Sequence, residues 1–252
     1  MLVRNDMQNE VIIFDDVNDV SKAICEKLLD LSKGCAEGKI INISLSGGST
    51  PKVIFQMLAE KYSHKINWNA LHFWWGDERC VSHESAESNY GEAKRILFDH
   101  IEIPKENIHP VHTSLSPDQA SIAYVQEMRK YIPVKDGIPR YDLILLGLGT
   151  DGHTASLFPN DISIDCATWT AVAVQPETHQ SRVSVSYKLI NNAQEVIFIV
   201  TGNSKEDVIK NLFLDKHKAI RYPAHYIKLG HGKLFWYMDA EAAKAIKPAC
   251  QD

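Results

Sequence analysis

The sequence predicts an α/β protein built on a mainly parallel sheet with helices on both faces. Two observations carry this. Short apolar runs alternate with segments of helical periodicity along most of the 252-residue chain, and such alternation is the signature of strand–helix–strand units. Glycine-rich turns close two of those runs, SGGSTP at residues 46–51 and GLGTDGH at residues 147–153. The ends of strands are where open α/β sheets bind their ligands.

Each element follows in order. Residues 11–14 (VIIF) form an apolar strand. Val17, Val20, Ile24, Leu28 and Leu31 then recur at helical spacing, with Asp16 or Asn18 able to cap. Residues 39–45 make a buried strand, and Pro51 suits the first turn of a helix running through Leu58, because its missing N–H would have no partner there. Residues 71–75 (LHFWW) are a strand that Gly76, Asp77, Glu78 and Arg79 end. Ser88 and Asn89 cap a helix through Ile96 and Leu97, and Ser116, Pro117 and Asp118 start another that reaches Tyr131. Residues 142–146 are a buried strand. Residues 170–174 and 182–187 read as strands, and alternation of Val183 and Val185 with Ser184 and Ser186 gives the second one face that is wet or lines a cleft. Residues 196–200 (VIFIV) are a central strand, residues 204–214 a helix and residues 234–238 a late strand, after which Asp239 can cap a short helix. No repeat, low-complexity tract or linker divides the chain. A single domain over residues 1–252 is expected, with allowance for a small added lobe around residues 160–190.

Composition limits the function. Hydrophobic residues make up 44 % and the formal charge is −5, so nothing global points to nucleic acid or to an anionic membrane. No apolar run approaches the roughly 18 residues of a membrane span. The first residues, MLVRNDM, carry no apolar signal region. Five scattered cysteines, Cys25, Cys35, Cys80, Cys166 and Cys250, form no C-x-x-C pair, which disfavours zinc and dithiol chemistry. A cytoplasmic protein is expected. Oligomeric state is not legible.

Four motifs carry chemistry. Asp151, Gly152 and His153 place a carboxylate, a flexible backbone and an imidazole in one tight turn, and a neutral histidine accepts protons at cellular pH. The plainer reading is a histidine that caps a following helix. The other ten of the eleven histidines lack such a setting. In SGGSTP, glycines admit close approach, and helix-terminal amides with the Ser49 and Thr50 hydroxyls suit a phosphate. The plainer reading is a turn with a Ser/Thr cap, and the two stand even. Asp77, Glu78 and Arg79 taken alone read best as a solvated loop. Lys205, after the strand at residues 196–200, and Arg182 present two cations, which with the glycine-rich turn would make a phosphomonoester pocket. No nucleophile elbow, metal-binding histidine pair or nucleotide fingerprint is present.

Taken together, SGGSTP, WGDERCV, SNY, LGLGTDGHTASLFP and VTGNSK resemble, in order and spacing, the 6-phosphogluconolactonase family, and the resemblance runs from about Ile40 to Ala243. It implies a modified Rossmann-like αβα sandwich shared with glucosamine-6-phosphate deaminases, without a dinucleotide. It also implies hydrolysis of 6-phospho-D-glucono-1,5-lactone in the oxidative pentose phosphate pathway, with no metal or cofactor and a small sugar-phosphate lactone as partner. By the same resemblance His153 is the general base, Asp151 its acidic partner, and Asp77 and Arg79 belong to the site. Gly47, Gly48, Ser49 and Thr50 form the phosphate loop, and Lys205 and Arg182 grip the phosphate. The family's usual glycine after LFP is Asn160 here. Deaminases of this fold carry a glutamate after the histidine, where this chain has Ser156, Leu157 and Phe158, so the lactonase is favoured over that enzyme and over a non-catalytic sugar-phosphate sensor. The oxyanion donor is expected to be Arg79 or turn amides near Gly149 and Gly152.

Overall fold

The structure, a computed structural model, describes residues 2–5, 9–34, 39–160 and 168–247. The elements in chain order are β1 (Leu2–Asn5), β2 (Asn9–Phe14), α1 (Val17–Lys33), β3 (Ile41–Leu45), α2 (Ser49–Met57), β4 (Leu71–Trp75), β5 (Asp77–Arg79), α3 (Asn89–Ile96), α4 (Pro117–Tyr131), β6 (Val134–Lys135) and β7 (Ile138–Pro139). They continue with β8 (Leu143–Leu146), β9 (Thr170–Val174), β10 (Ser181–Val185), α5 (Tyr187–Ile190), β11 (Glu195–Val200), α6 (Glu206–Leu214), α7 (Lys216–Ala219) and β12 (Lys233–Asp239).

Seven strands form one sheet in the order β1-β2-β12-β11-β8-β3-β4. Only β1 runs antiparallel to its neighbour; the other pairings are parallel. The strands are apolar on both sides because each sheet face carries its own core. Ile43, Leu45, Leu143, Leu145, Ile197 and Ile199 meet Val20, Ile24 and Leu28 of α1 and Ile54 and Phe55 of α2. The alternate residues Ile144, Leu146, Val196 and Phe198 meet Tyr124 and Met128 of α4 and Val208 and Ile209 of α6. Helices therefore cover both faces, as the alternation of runs requires.

Local signals set the helix ends. Asp16 Oδ1 accepts the amides of Asn18 and Asp19 at 2.7 and 3.0 Å. Ser116 forms a capping box with Gln119, ahead of Pro117 in the first turn. Such caps are worth about 0.5–2 kcal/mol each.

Four expectations change. Residues 77–79 do not merely end a strand: they form β5, which joins β10 and β9 in a separate three-stranded antiparallel sheet. The strand expected over residues 182–187 stops at Val185, and Ser186 caps α5. Its serine face is dry, with Ser184 and Ser186 both buried, because that side packs beneath residues 154–158 and 168–170. Asp239 accepts the Ala242 amide at 2.8 Å, but turns rather than a helix follow as far as residue 247. Cys25 and Cys80 are unpaired, and burial pushes the Cys25 thiol up to about 12. Cys35, Cys166, Cys250 and residues 161–167 of the expected lobe lie outside the described residues.

Candidate active site

The four strands β3, β4, β8 and β11 end on the same rim of the sheet, and each is followed by one of the motifs singled out in the sequence. Strand order thus brings together segments more than a hundred residues apart. The rim is the carboxyl edge, where parallel strands leave loops free to take up side chains and ligands.

The turn after β8 holds the imidazole. His153 Nδ1 lies 2.6 Å from Asp151 Oδ1, which also accepts the His153 backbone amide at 3.2 Å. Burial works against the Asp151 carboxylate, but the hydrogen bonds and charge of His153 outweigh it and hold Asp151 below the usual carboxylate range. The His153 side chain is 32 % exposed, against the Phe158 ring at 5.0 Å. No helix follows up to residue 160, so His153 is not a cap. Both side chains fold back over Gly149: a Cβ there would sit 2.1 Å from His153 Nδ1 and 2.4 Å from Asp151 Oδ1. Gly152 turns the chain at φ +81°. Asn160 adopts φ +64°, a left-handed conformation that glycine favours and asparagine tolerates, so the departure from the family pattern leaves the turn intact.

One expectation narrows here. The Gly149 amide donates to His153 O at 2.8 Å and the Gly152 amide to Gly149 O at 3.0 Å. Both are engaged inside the turn, which weighs against these two amides as oxyanion donors and leaves Arg79 and the neighbouring turn amides.

The turn after β3 forms the cradle. Gly48, at φ +110°, precedes α2, and no side chain caps that helix. Its first amides carry no side-chain cap, which speaks against the plain Ser/Thr-cap reading. Gly47, Gly48, Ser49 and Thr50 enclose a cavity of about 120 Å³ with Gly147 and Lys205. Thr50 Oγ1 is fixed by Thr201 Oγ1 at 2.6 Å. Burial lowers the Lys205 pKa, and the Asp151 charge opposes that shift. The cradle adjoins the imidazole turn: a Cβ on Gly147 would lie 3.4 Å from Ser46 Oγ, and Thr154 Oγ1 donates to Gly147 O at 2.9 Å.

The small sheet supplies a third wall. Asp77 is buried; its Oδ2 accepts the Ser156 hydroxyl at 2.7 Å and lies 3.7 Å from Arg182 Nη1. Arg182 does not line the cradle cavity. It stands directly opposite Arg79 across the β10–β5 pair. Each guanidinium has a buried Nε with no hydrogen-bond partner, while Arg79 Nη1 donates to Glu87 O at 2.6 Å. Glu78 is fully buried, not solvated. It accepts the amides of Arg79, Asn89 and Tyr90 at 2.8–2.9 Å and the Ser88 hydroxyl at 3.1 Å, and so ties β5 to the start of α3. Burial raises its pKa despite those bonds.

Sequence reasoning missed several residues here. Asn89 donates to Asp77 O at 2.8 Å and packs so tightly on Gly47 that a Cβ there would overlap its amide. Ser156 links the imidazole turn to Asp77, in the stretch where deaminases carry a glutamate. Tyr222 lies against Gly152. The SNY motif flagged one of these segments, but only folding assigns contacts. Beside Asp151 opens a cleft of about 970 Å³ walled by Phe158, Tyr187, Arg221 and Tyr222. Among the described residues no cluster of three or more His, Cys, Asp or Glu could hold a metal ion, and no helix is long and apolar enough to cross a membrane.

Comparison with known proteins gives consistent matches. The family model described as glucosamine-6-phosphate isomerases/6-phosphogluconolactonase matches residues 15–236. The 6-phosphogluconolactonase of Haemophilus influenzae is 44 % identical over 207 residues, which cover 82 % of this chain and 88 % of that protein. The crystal structure of devB protein superposes with a TM-score of 0.90 at 40 % identity, covering 94 % of this chain and 99 % of the other. The 6-phosphogluconolactonase structure from Trypanosoma brucei gives a TM-score of 0.83 at 30 % identity over 93 % of this chain and 97 % of that one.

Proposed function

The chain belongs to the glucosamine-6-phosphate isomerase/6-phosphogluconolactonase family, and from that premise we propose how its crevice hydrolyses 6-phospho-D-glucono-1,5-lactone to 6-phospho-D-gluconate. Like its relatives it is an enzyme of sugar-phosphate metabolism, a lactone hydrolase. The observation that carries the mechanism is the 2.6 Å pairing of Asp151 with His153 Nδ1 on the rim that also holds the cradle. Nδ1–H of His153 donates to the ionised Asp151 carboxylate, so Nε2 is left unprotonated as the acceptor.

The 6-phosphate sits on the α2 amides, Ser49, Thr50 and Lys205. Nε2 of His153 removes a proton from water, and the oxygen adds to the lactone carbonyl carbon. Negative charge moves onto the carbonyl oxygen. The Gly149 and Gly152 amides are engaged inside the turn, and we assign Arg79 as the donor for that oxyanion. The carbonyl re-forms, the ring C–O bond breaks, and the departing alkoxide takes the proton back from the imidazolium. Asp77, held by Ser156 and facing Arg182, orders the small-sheet wall and does not act as the base. Arg182, outside the cradle cavity and 3.7 Å from Asp77, adds a second cation to the small-sheet wall and not to the phosphate cradle. Like charges directly opposed on paired strands repel, and a bound anion beside Arg79 and Arg182 relieves that repulsion.

His153→Ala tests the reading. Lactonase activity on freshly made lactone, corrected for spontaneous opening, falls about 10²–10⁴-fold, while 6-phosphogluconate binding by calorimetry is retained. Full activity in that variant rejects the base assignment.

A further inference from the structure

Lys205 and His153 serve opposite ends of the substrate, and a single side chain spans the elements that carry them. Lys205 ends the turn that leads directly into α6. On α6, Asn211 Nδ2 donates to Tyr222 Oη at 3.0 Å. The Tyr222 ring lies so close beneath Gly152 that a Cβ there would come within 2.2 Å of it. The Ala224 amide donates to Gly152 O at 3.0 Å, and the Tyr222 amide to Ala219 O at 2.9 Å. Tyr222 is thus fixed from three sides and presses on the residue between Asp151 and His153.

We infer that Tyr222, braced by Asn211, is a positioning residue that sets the span between the phosphate-holding start of α6 and the Asp151–His153 turn. The inference rests on the lactonase reading above. Tyr222 touches no reacting atom. Its role is to hold the imidazole at the distance from the phosphate site that places the lactone carbonyl in line with the attacking water. Binding energy gained at a remote phosphate accelerates chemistry only when the two ends are held in rigid register. A loose strut wastes that energy, and the loss appears only with a substrate that bears the phosphate.

The test compares 6-phospho-D-glucono-1,5-lactone with unphosphorylated D-glucono-1,5-lactone. Tyr222→Phe and Asn211→Leu each lower kcat on the phosphorylated lactone about tenfold, with KM within twofold. The rate on the unphosphorylated lactone stays within about twofold. Asn211→Asp restores activity, because the Tyr222 hydroxyl can donate to a carboxylate. Melting curves and 6-phosphogluconate affinity establish that each variant is folded and binds. Equal losses on both lactones would make the contact ordinary support of the fold and overturn the inference, as would unchanged kcat. Inactivity of the wild-type chain would instead reject the lactonase reading, and the strut with it.

Discussion

Among the described residues two histidines pair with a carboxylate, and they differ in how open the imidazole is. His153 and Asp151 meet at 2.6 Å on the carboxyl rim, with the imidazole partly open to solvent. His109 and Glu127 meet at 3.3 Å, but His109 is 3 % exposed, is stacked on Trp74 and spends its Nε2 on His72 Nδ1 at 2.9 Å. The second pair lies toward the other end of β4, where His72 is the second residue of the strand. Burial lowers the His109 pKa to about 4 despite its carboxylate, and burial lowers His72 as well. A carboxylate partner therefore does not by itself leave a histidine able to take up a proton; its second nitrogen must also be accessible.

The sharpest way to break that contrast is to spoil the exposed pair without touching the buried one. Gly149→Ala drives a methyl group into His153 Nδ1 and Asp151 Oδ1. These are the ends of mobile side chains, so the fold survives and the pair is displaced. Activity falls by about 10² or more, while the melting temperature shifts by only a few degrees. Intact activity would show that the pair tolerates displacement.

The buried pair sharpens the contrast through pH. His109 is harder to protonate when folded, from 6.5 down to about 4. Its contribution to stability is whole above its ordinary value and is lost as pH falls through that window. Glu127, held below its usual range, is likewise lost on acidification, and His72, Glu106, Lys130 and Tyr131 are the other charged or titratable neighbours. Urea unfolding at pH 7 and pH 4 shows a drop of up to about 3 kcal/mol from His109, and His109→Gln flattens it. An equally steep profile in the variant would place acid lability elsewhere. The smallest effect belongs to the link between rim and small sheet. Ser156→Ala removes the hydroxyl from Asp77 and costs about 1 kcal/mol in the same measurement; no change would show that Arg182 alone satisfies Asp77.

The fold was largely legible because its signals are local. The apolar runs fall on the central strands, and Ser116 with Pro117 marks the start of α4. The strand Thr170–Val174 has the bounds expected for it. Residues 77–79 were misjudged because a short polar strand lacks an apolar period, and its pairing partner is more than a hundred residues away. The same holds for the serines of β10, whose dryness depends on what packs above them. In the site, Asp151 and His153 were readable since the contact spans two residues. The bond from Ser156 to Asp77 spans 79 residues, and the His72–His109 pair spans 37. No window of sequence holds both ends of either.

Strand β12 sits between β2 and β11, so the middle of the sheet is completed by residues 233–239. During synthesis the amino-terminal ribbon β1–β2 and the block β11-β8-β3-β4 must wait, each with a bare edge, until that stretch leaves the ribosome. A nascent chain stalled before Lys233 would expose two unpaired strand borders, the kind that recruit chaperones or self-associate. Folding of the whole is thereby tied to a late, long-range closure, and such topologies assemble slowly.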